Sequence, residues 1–541
     1  GSKRVGMLDT NALLSHGATQ VLEDVGTVRG QKNDEYWMQF MAGYNPQAPK
    51  VPMVYQKFVN QLKAAGVNVV KQGTQTNIMA LTDKDTAELA GNRKLESAAG
   101  VDWNDSLKEI PGGLFDKAKT GGHGGKRWSY MELHEPMPNP VMEEPIRRLL
   151  GLTKKQFNSV IAGDEELSRF GTGTKALQKA LSAMNLDAEL TKTRNIINAG
   201  RKSERDAAVK KLGYLKSAKK LGLAPEDYIL SKVPVLPPMF RPVSMMGNGM
   251  PLINDANHLY KELFQANKNL KEIQAAVGPA ASGVERLTTY NAFKAVTGLG
   301  DPINKKTKDK NVKGILKEVF GSSPKFGTLQ RKLISTTVDN VGRAVITPNP
   351  DLDMDSVGLP EEQAFKAYDK FITRRLVRQG MSVRAARLEI KDKSKLARDA
   401  LIEEMDHRPV YISRAPVLHK FGIMAMRPRL TKNKTLEVSP LIVKGFNADF
   451  DGDAMNYHVP TTEGARKEAM ERLLPSRNLF SLSDFKSVMH APANEYVGGL
   501  WRASQSKSKR AKKIFKTLGD AEKAYERGDV AMDDTIQILE S

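Results

Sequence analysis

The chain has 541 residues, 40% of them hydrophobic, which supports sizeable cores and roughly three or four domains and excludes a disordered polypeptide. Its 83 lysines and arginines outnumber 62 aspartates and glutamates, and the net charge of +21 points to a polyanionic partner, most simply nucleic acid, with an acidic membrane surface as the duller alternative. The lack of any cysteine excludes disulfides and Cys-based zinc sites and fits a reducing, intracellular setting.

The sequence contains no apolar run of about 18 residues and shows no signal-peptide layout at its N-terminus, so no membrane partner is expected. The first hundred residues read as mixed helix and loop, with apolar positions at helical spacing in "YQKFVNQLKAAGVNVV". Next comes the glycine-dense, basic "GGLFDKAKTGGHGGKRWSYMELHE" (112–135). A flexible surface loop and a phosphate-contacting or core-threading loop both fit it, the latter favoured by Lys126, Arg127 and Trp128. No GxxxxGK[ST] pattern closes it, so it is not a P-loop.

From about Leu167 to Leu223 the alternating charges predict solvated helices, with an antiparallel hairpin as one arrangement. "VPVLPPMFRPV" interrupts helix at Pro237 and Pro238, and helix resumes near "NHLYKELFQANKNLKEIQ". The lysine-rich "DPINKKTKDKNVKG" reads as an exposed loop or a nucleic-acid contact. Between Val338 and Pro460 the pattern becomes β-like in "VGRAVIT", "PVYISRAP" and "LEVSPLIV", with one helical insert at "EEQAFKAYDKFITRRLVRQG". Short strands with mixed crossovers predict a compact barrel. Beyond it lie a basic run, "SQSKSKRAKK", and a helical "DAEKAYERGDV".

Within "FNADFDGDAMNYHVP" (446–460), Asp449, Asp451 and Asp453 alternate with Phe450 and Gly452. Alternate residues of an extended segment point the same way, so the three converge if the strand bends at Gly452. Uncompensated, such carboxylates repel and raise one another's pKa. A hard divalent cation resolves the repulsion, and all-oxygen ligation suits Mg²⁺ or Ca²⁺ rather than zinc. An EF-hand starting at Asp449 would need Gly and Glu where Ala454 and Pro460 stand. "DLDMDSVGLPEE" has Asp351, Asp353, Asp355 and Glu362 at EF-hand spacing, but carries Ser356 in place of the turn glycine. A cation in a basic protein suggests chemistry on phosphates. The bland alternative is a solvated acidic turn.

"NADFDGDAMNYHVP" resembles the signature of the β′-type largest subunit of multisubunit, DNA-dependent RNA polymerases. "RPVYISRAPVLHKFGIMAMRP" looks like the segment upstream of it in that family, and "VDNVGRAVITPNPDLDMDSVGLP" resembles the switch segment entering the double-psi β-barrel. "VPVLPPMFRPV" followed by "NDANHLYKELFQANKNLKEI" is similar to the stretch around the rudder and coiled coil of the clamp, and "DAEKAYERGDV" has a counterpart after the barrel. "GGHGGKRWSYMEL" and "SKRVGMLDTNALLSHGA" resemble instead the C-terminal part of the β subunit.

The resemblance implies an α+β fold in which a β C-terminal region is fused to a β′ N-terminal region. Residues 1–145 would be the β-subunit-like mixed α/β region, with clamp and switch contacts. Residues 146–337 would be the β′ N-terminal clamp with lid, rudder and short coiled coil, 338–500 the double-psi β-barrel with its metal loop, and 501–541 the start of the post-barrel region. By the same resemblance, Asp449, Asp451 and Asp453 are catalytic and hold Mg²⁺, and a second Mg²⁺ arrives with the NTP. Arg414 and Asn447 match positions near the sugar of the incoming nucleotide, where an Arg and an amide would sense the 2′-OH. Arg343 matches a switch arginine on template DNA, its residue type equally suited to a buried ion pair. Lys126 and Arg127 carry a similar nucleic-acid expectation, and His458 matches a position where a packed histidine is expected.

The function implied is that of a DNA-directed RNA polymerase subunit, a nucleotidyltransferase, of divergent bacteriophage type, inactive alone. Its partners would be other polymerase chains (the β barrel part and a β′ C-terminal part with bridge helix and trigger loop), DNA template, RNA product and NTPs. It would work in the cytoplasm of the host cell, with packaging in a virion left open. The departures are Ala454 where the family usually has Gln, no zinc ribbon, and a short coiled-coil stretch, which puts binding of a standard σ factor in doubt. The alternatives are a non-catalytic nucleic-acid-binding scaffold of polymerase fold and an RNA-templated relative.

Overall fold

The alternation in "VGRAVIT" is that of a strand with one buried face: Ala344 and Ile346 are buried while Arg343 and Val345 are exposed. In the computed structural model this strand, β1 (Val341–Pro348), is one stave of a closed six-stranded barrel. The structure describes residues 2–30, 33–49, 51–72, 75–101, 108–493, 495–505, 513–532 and 534–539. The basic run of "SQSKSKRAKK" lies, at 506–512, outside the described residues.

The other staves are β2 (Ser356–Pro360), β3 (Val410–Ser413), β4 (Ile423–Thr431), β5 (Leu436–Val438) and β6 (Ala454–His458), in the order β1-β5-β2-β4-β3-β6. β1–β5 and β2–β4 pair in parallel, and the remaining four pairs, including the closing β6–β1, are antiparallel. The barrel expected from the short strands is therefore present. Its interior and the helices over it share one core, with Ile346, Val357, Leu359, Ile412, Met424 and Met426 meeting Phe365, Tyr368 and Phe371.

The single helical insert expected after β2 is three helices: Glu361–Arg378, Val383–Asp392 and Lys395–His407. Gly380, at φ +106°, breaks the first, and Ser382 and Ser394 each accept a backbone N–H to start the next two. The Asp351–Glu362 stretch is a turn over 351–355, then β2 and the start of a helix; in the turn Asp353 accepts from the Asp355 N–H (2.8 Å) and the Ser356 hydroxyl (3.0 Å).

Two compact units divide the chain: residues 1–52 with 334–541, and residues 53–333. In the first, the N-terminal segment is bound to the barrel by a buried polar network. Asp24 accepts the Thr461 and Thr462 N–H groups (3.1 and 2.9 Å), and Arg29 donates to the Tyr411 hydroxyl (2.5 Å) and contacts His458 Nδ1 (3.0 Å). His458 is packed, its ring stacked on Tyr411 at 4.7 Å. Trp37 and Phe40, from the helix Asp34–Met41, set their rings edge-on to Phe371.

In the second unit, helix Met53–Ala64 is followed not by loop but by paired strands Val67–Gln72 and Gln75–Ala80, because Gly66 at φ +91° ends the helix and "VNVV" then favours a strand. The glycine-rich stretch threads the core: Gly122, Gly125 and Trp128 are buried, and a Cβ on Gly125 would lie 1.9 Å from the Thr120 carbonyl oxygen. Ser129–Pro138 then pairs with Ile229–Val235 and Lys94–Leu95 in a three-stranded sheet. Helices Leu186–Ala199 and Lys202–Leu221 form the expected antiparallel pair, with Lys219 on Asp187 and Lys211 on Glu189. Helices Asp255–Val277 and Gly283–Thr297 pack on each other. Among the described residues no helix is long and apolar enough to cross a membrane.

Candidate metal centre

A four-residue helix, Val443–Phe446, stops at Asn447, whose left-handed backbone (φ 49°, ψ 43°) suits an Asn better than most residues. The chain then alternates. Phe446 and Ala448 are buried and Phe450 is half-buried, whereas Asn447, Asp449 and Asp451 are exposed. Gly452, at φ +125°, turns the loop in a region that side chains resist. Asp453 then closes the loop onto the barrel, its carbonyl accepting the Ile346 N–H at 2.9 Å. The three aspartates thus converge from a loop between helix and β6, not from a bent strand, although the alternation that directs them outward is that of the sequence.

Each aspartate offers an oxygen, and the three oxygens lie within 4.8 Å of one another. Asp449 pushes the Asp451 carboxyl above the ordinary carboxylate range, by a hydrogen bond and then by its charge, with Asp453 adding to it. Asp453 is held below that range by Arg414, whose Nε donates to Oδ2 at 2.7 Å; the Asp449 N–H donates to the same oxygen at 3.2 Å. One guanidinium facing three carboxyl groups leaves the loop short of positive charge. Mg²⁺–oxygen bonds of about 2.1 Å set neighbouring ligands roughly 3 Å and opposite ones roughly 4.2 Å apart, so oxygens gathered within 4.8 Å of one another are candidates to share one such ion once they draw closer. Solvent exposure leaves its other positions open to water or phosphate oxygens.

Of the other residues singled out from the sequence, Arg414 follows β3 directly and is brought to the triad; Asn447 caps the helix on the exposed side of the same loop. Arg343 lies on β1, in register with Asn456 of β6; it is exposed, with no ion pair among the described residues, so the buried-pair reading is set aside. Lys126 and Arg127 are exposed in the second unit, and Arg127 donates to the Ala118 carbonyl at 3.0 Å. Two neighbours of the loop carried no sequence signal. Tyr496 places its ring 6.4 Å from that of Phe450, edge to face, and Asn456, beside Ser413 and Arg343, keeps a buried Oδ1 with no partner among the described residues.

A solvent-open trio of carboxylates beside a guanidinium, on a loop of a closed barrel, defines a candidate divalent-cation site. Residues 371–474 match the family model described as RNA polymerase Rpb1, domain 2. The DNA-directed RNA polymerase subunit gamma of Cyanothece sp. (strain PCC 7425 / ATCC 29141) is 30% identical over 372 residues, covering 67% of this chain and 59% of that one. The subunit beta′ of Thermobifida fusca (strain YX) is 30% identical over 404 residues, 70% of this chain and 30% of that one. That of Paracidovorax citrulli (strain AAC00-1) is 31% identical over 392 residues, 70% and 27%. The chain belongs to the multisubunit RNA polymerase family, and it spans between about a quarter and three fifths of the length of these relatives.

Proposed function

We propose that this chain is the metal-bearing part of a DNA-directed RNA polymerase, of divergent bacteriophage type, in which β C-terminal and β′ N-terminal regions share one polypeptide and the barrel is of the double-psi kind. It works inside the host cell, assembled with other polymerase chains, and extends RNA on a DNA template from NTPs only in that assembly. The observation that carries this reading is the approach of three carboxylate oxygens to within 4.8 Å on a solvent-open loop of a basic chain.

Asp449, Asp451 and Asp453 are the residues that hold Mg²⁺. When bound, that ion supplies Lewis-acid activation of the RNA 3′ hydroxyl, while a second ion entering with the nucleotide offsets charge on the triphosphate. The chain's own residues do the positioning. Gly452 and Asn447 shape the loop, and Arg414 fixes the Asp453 carboxylate through one of its oxygens. Arg414 and Asn447 meet the sugar of the incoming nucleotide and select ribose by its 2′-OH. Arg343, Lys126 and Arg127 contact nucleic-acid phosphates.

The test is reconstitution of the enzyme with its partner chains. Asp451→Ala is expected to abolish RNA synthesis while the assembly still forms; normal synthesis by the variant assembly would refute the metal assignment.

A further inference from the structure

A second concentration of charge lies in the first unit, away from the aspartate loop in sequence. Helices Glu361–Arg378 and Lys395–His407 and the segment after the helix Asp34–Met41 enclose a cavity of about 450 Å³, floored by Phe40 and Phe371. Four arginines line it, and they divide into two pairs. Arg375 and Arg408 are neutralised: Arg375 binds Glu404 (2.8 Å) and Glu403 (3.0 Å), and Arg408 binds Glu404 (3.1 Å) and Glu463 (3.3 Å).

Arg374 and Arg378 have no such partner. Their guanidiniums converge on one neutral atom, Asn45 Oδ1, which accepts from Nη2 of both, at 2.9 Å in the case of Arg378. Arg378 Nε donates to the Gly43 carbonyl at 3.1 Å, again a neutral acceptor. Arg374 Nε is buried with no hydrogen-bond partner among the described residues. Neither arginine has a carboxylate within ion-pair distance among the described residues. Arg374 is held below its ordinary pKa first by burial and then by the charge of Arg378. Its guanidinium lies 4.2 Å over the Phe40 ring, which fixes its plane. Two like charges drawn onto one neutral oxygen, Arg374 half-buried and Arg378 exposed, favour an anion; Glu404 and Glu463, which line the same cavity, are already engaged by Arg375 and Arg408. Guanidiniums match phosphate oxygens in pairs.

We infer that this cavity is an anion site for a small phosphate-bearing ligand, gripped by Arg374 and Arg378 with Asn45 between them. A cavity of this size suits a small molecule. A nucleic-acid backbone, with one charge per phosphate, compensates the pair less well.

The experiment measures binding of inorganic pyrophosphate to the full chain by calorimetry, in EDTA so that no cation draws the probe to the aspartates. Wild type is expected to bind, and Arg374→Gln combined with Arg378→Gln to weaken binding by about tenfold or more. Asn45→Asp, which puts a carboxylate where the neutral oxygen sits, is expected to weaken binding by about tenfold or more and to raise Tm by about 2–4 °C, because it supplies the pair with a counter-charge. That rise separates loss of the site from loss of the fold. No binding to wild type, equal binding to all forms, or a Tm lowered by Asn45→Asp would overturn the proposal. So would loss of single-stranded oligonucleotide binding in Asn45→Asp with pyrophosphate binding intact.

Discussion

Gly452 shows how a single residue controls the aspartate loop. A Cβ built there meets nothing within 4 Å, so the cost of a side chain is conformational and comes from φ +125° alone. Holding a non-glycine residue in such a region costs on the order of 1–3 kcal/mol. Gly452→Ala is therefore expected to leave the barrel folded, with Tm little changed, and to weaken Mn²⁺ or Mg²⁺ binding to the chain by roughly tenfold, as read by calorimetry. Unchanged affinity would mean that the loop finds its geometry without the left-handed turn. Arg414 acts at the same scale, since its bond to Asp453 holds that carboxyl low while the neighbouring Asp449 pushes the Asp451 carboxyl up.

Among the elements, the first and third helices after β2 are joined by Glu404, which receives Arg375 and Arg408 together. Burial works against its carboxylate, but the two guanidiniums outweigh burial and hold it below its ordinary value of 4.5. A depressed carboxylate stabilises the fold above its unfolded pKa, and that contribution is lost as pH falls through the folded value. The transition of the barrel unit is thus expected to drop between pH 5 and pH 3, at about the values where carboxylates protonate. In Glu404→Gln that drop is expected to be shallower, from a lower Tm at pH 7. Thermal denaturation followed across this range checks both. An identical slope in the two proteins would assign the acid sensitivity to other groups. At this scale the sequence was legible where one face is buried, as in β1, and misleading where short helices follow one another. "EEQAFKAYDKFITRRLVRQG" does fold as the one helix expected of it, but the two further helices that start after Ser382 and Ser394 lie beyond that stretch and are not predicted by it.

For the molecule as a whole, the excess of 21 positive charges argues for a partner bound through phosphates. The isolated chain is expected to bind nucleic acid with an affinity that falls roughly 100-fold or more between about 50 and 200 mM salt. It is also expected not to extend a primer until its partner chains are added. Filter binding and primer extension on the same preparation test this, and extension by the chain alone would refute the incomplete site. The order of residues was enough to determine the local features: the acidic alternation at 449–453, the barrel strands, and the family to which they belong, because these depend on neighbours a few residues apart. Only the tertiary structure decided that Arg414, 39 residues before Asp453, is its counterion, that Asp24 and Arg29 bury their charges against the barrel, and that Arg374 and Arg378 share Asn45 more than 300 residues away. Charge compensation is a matter of distances in space, and the sequence records which charges exist without recording which of them meet.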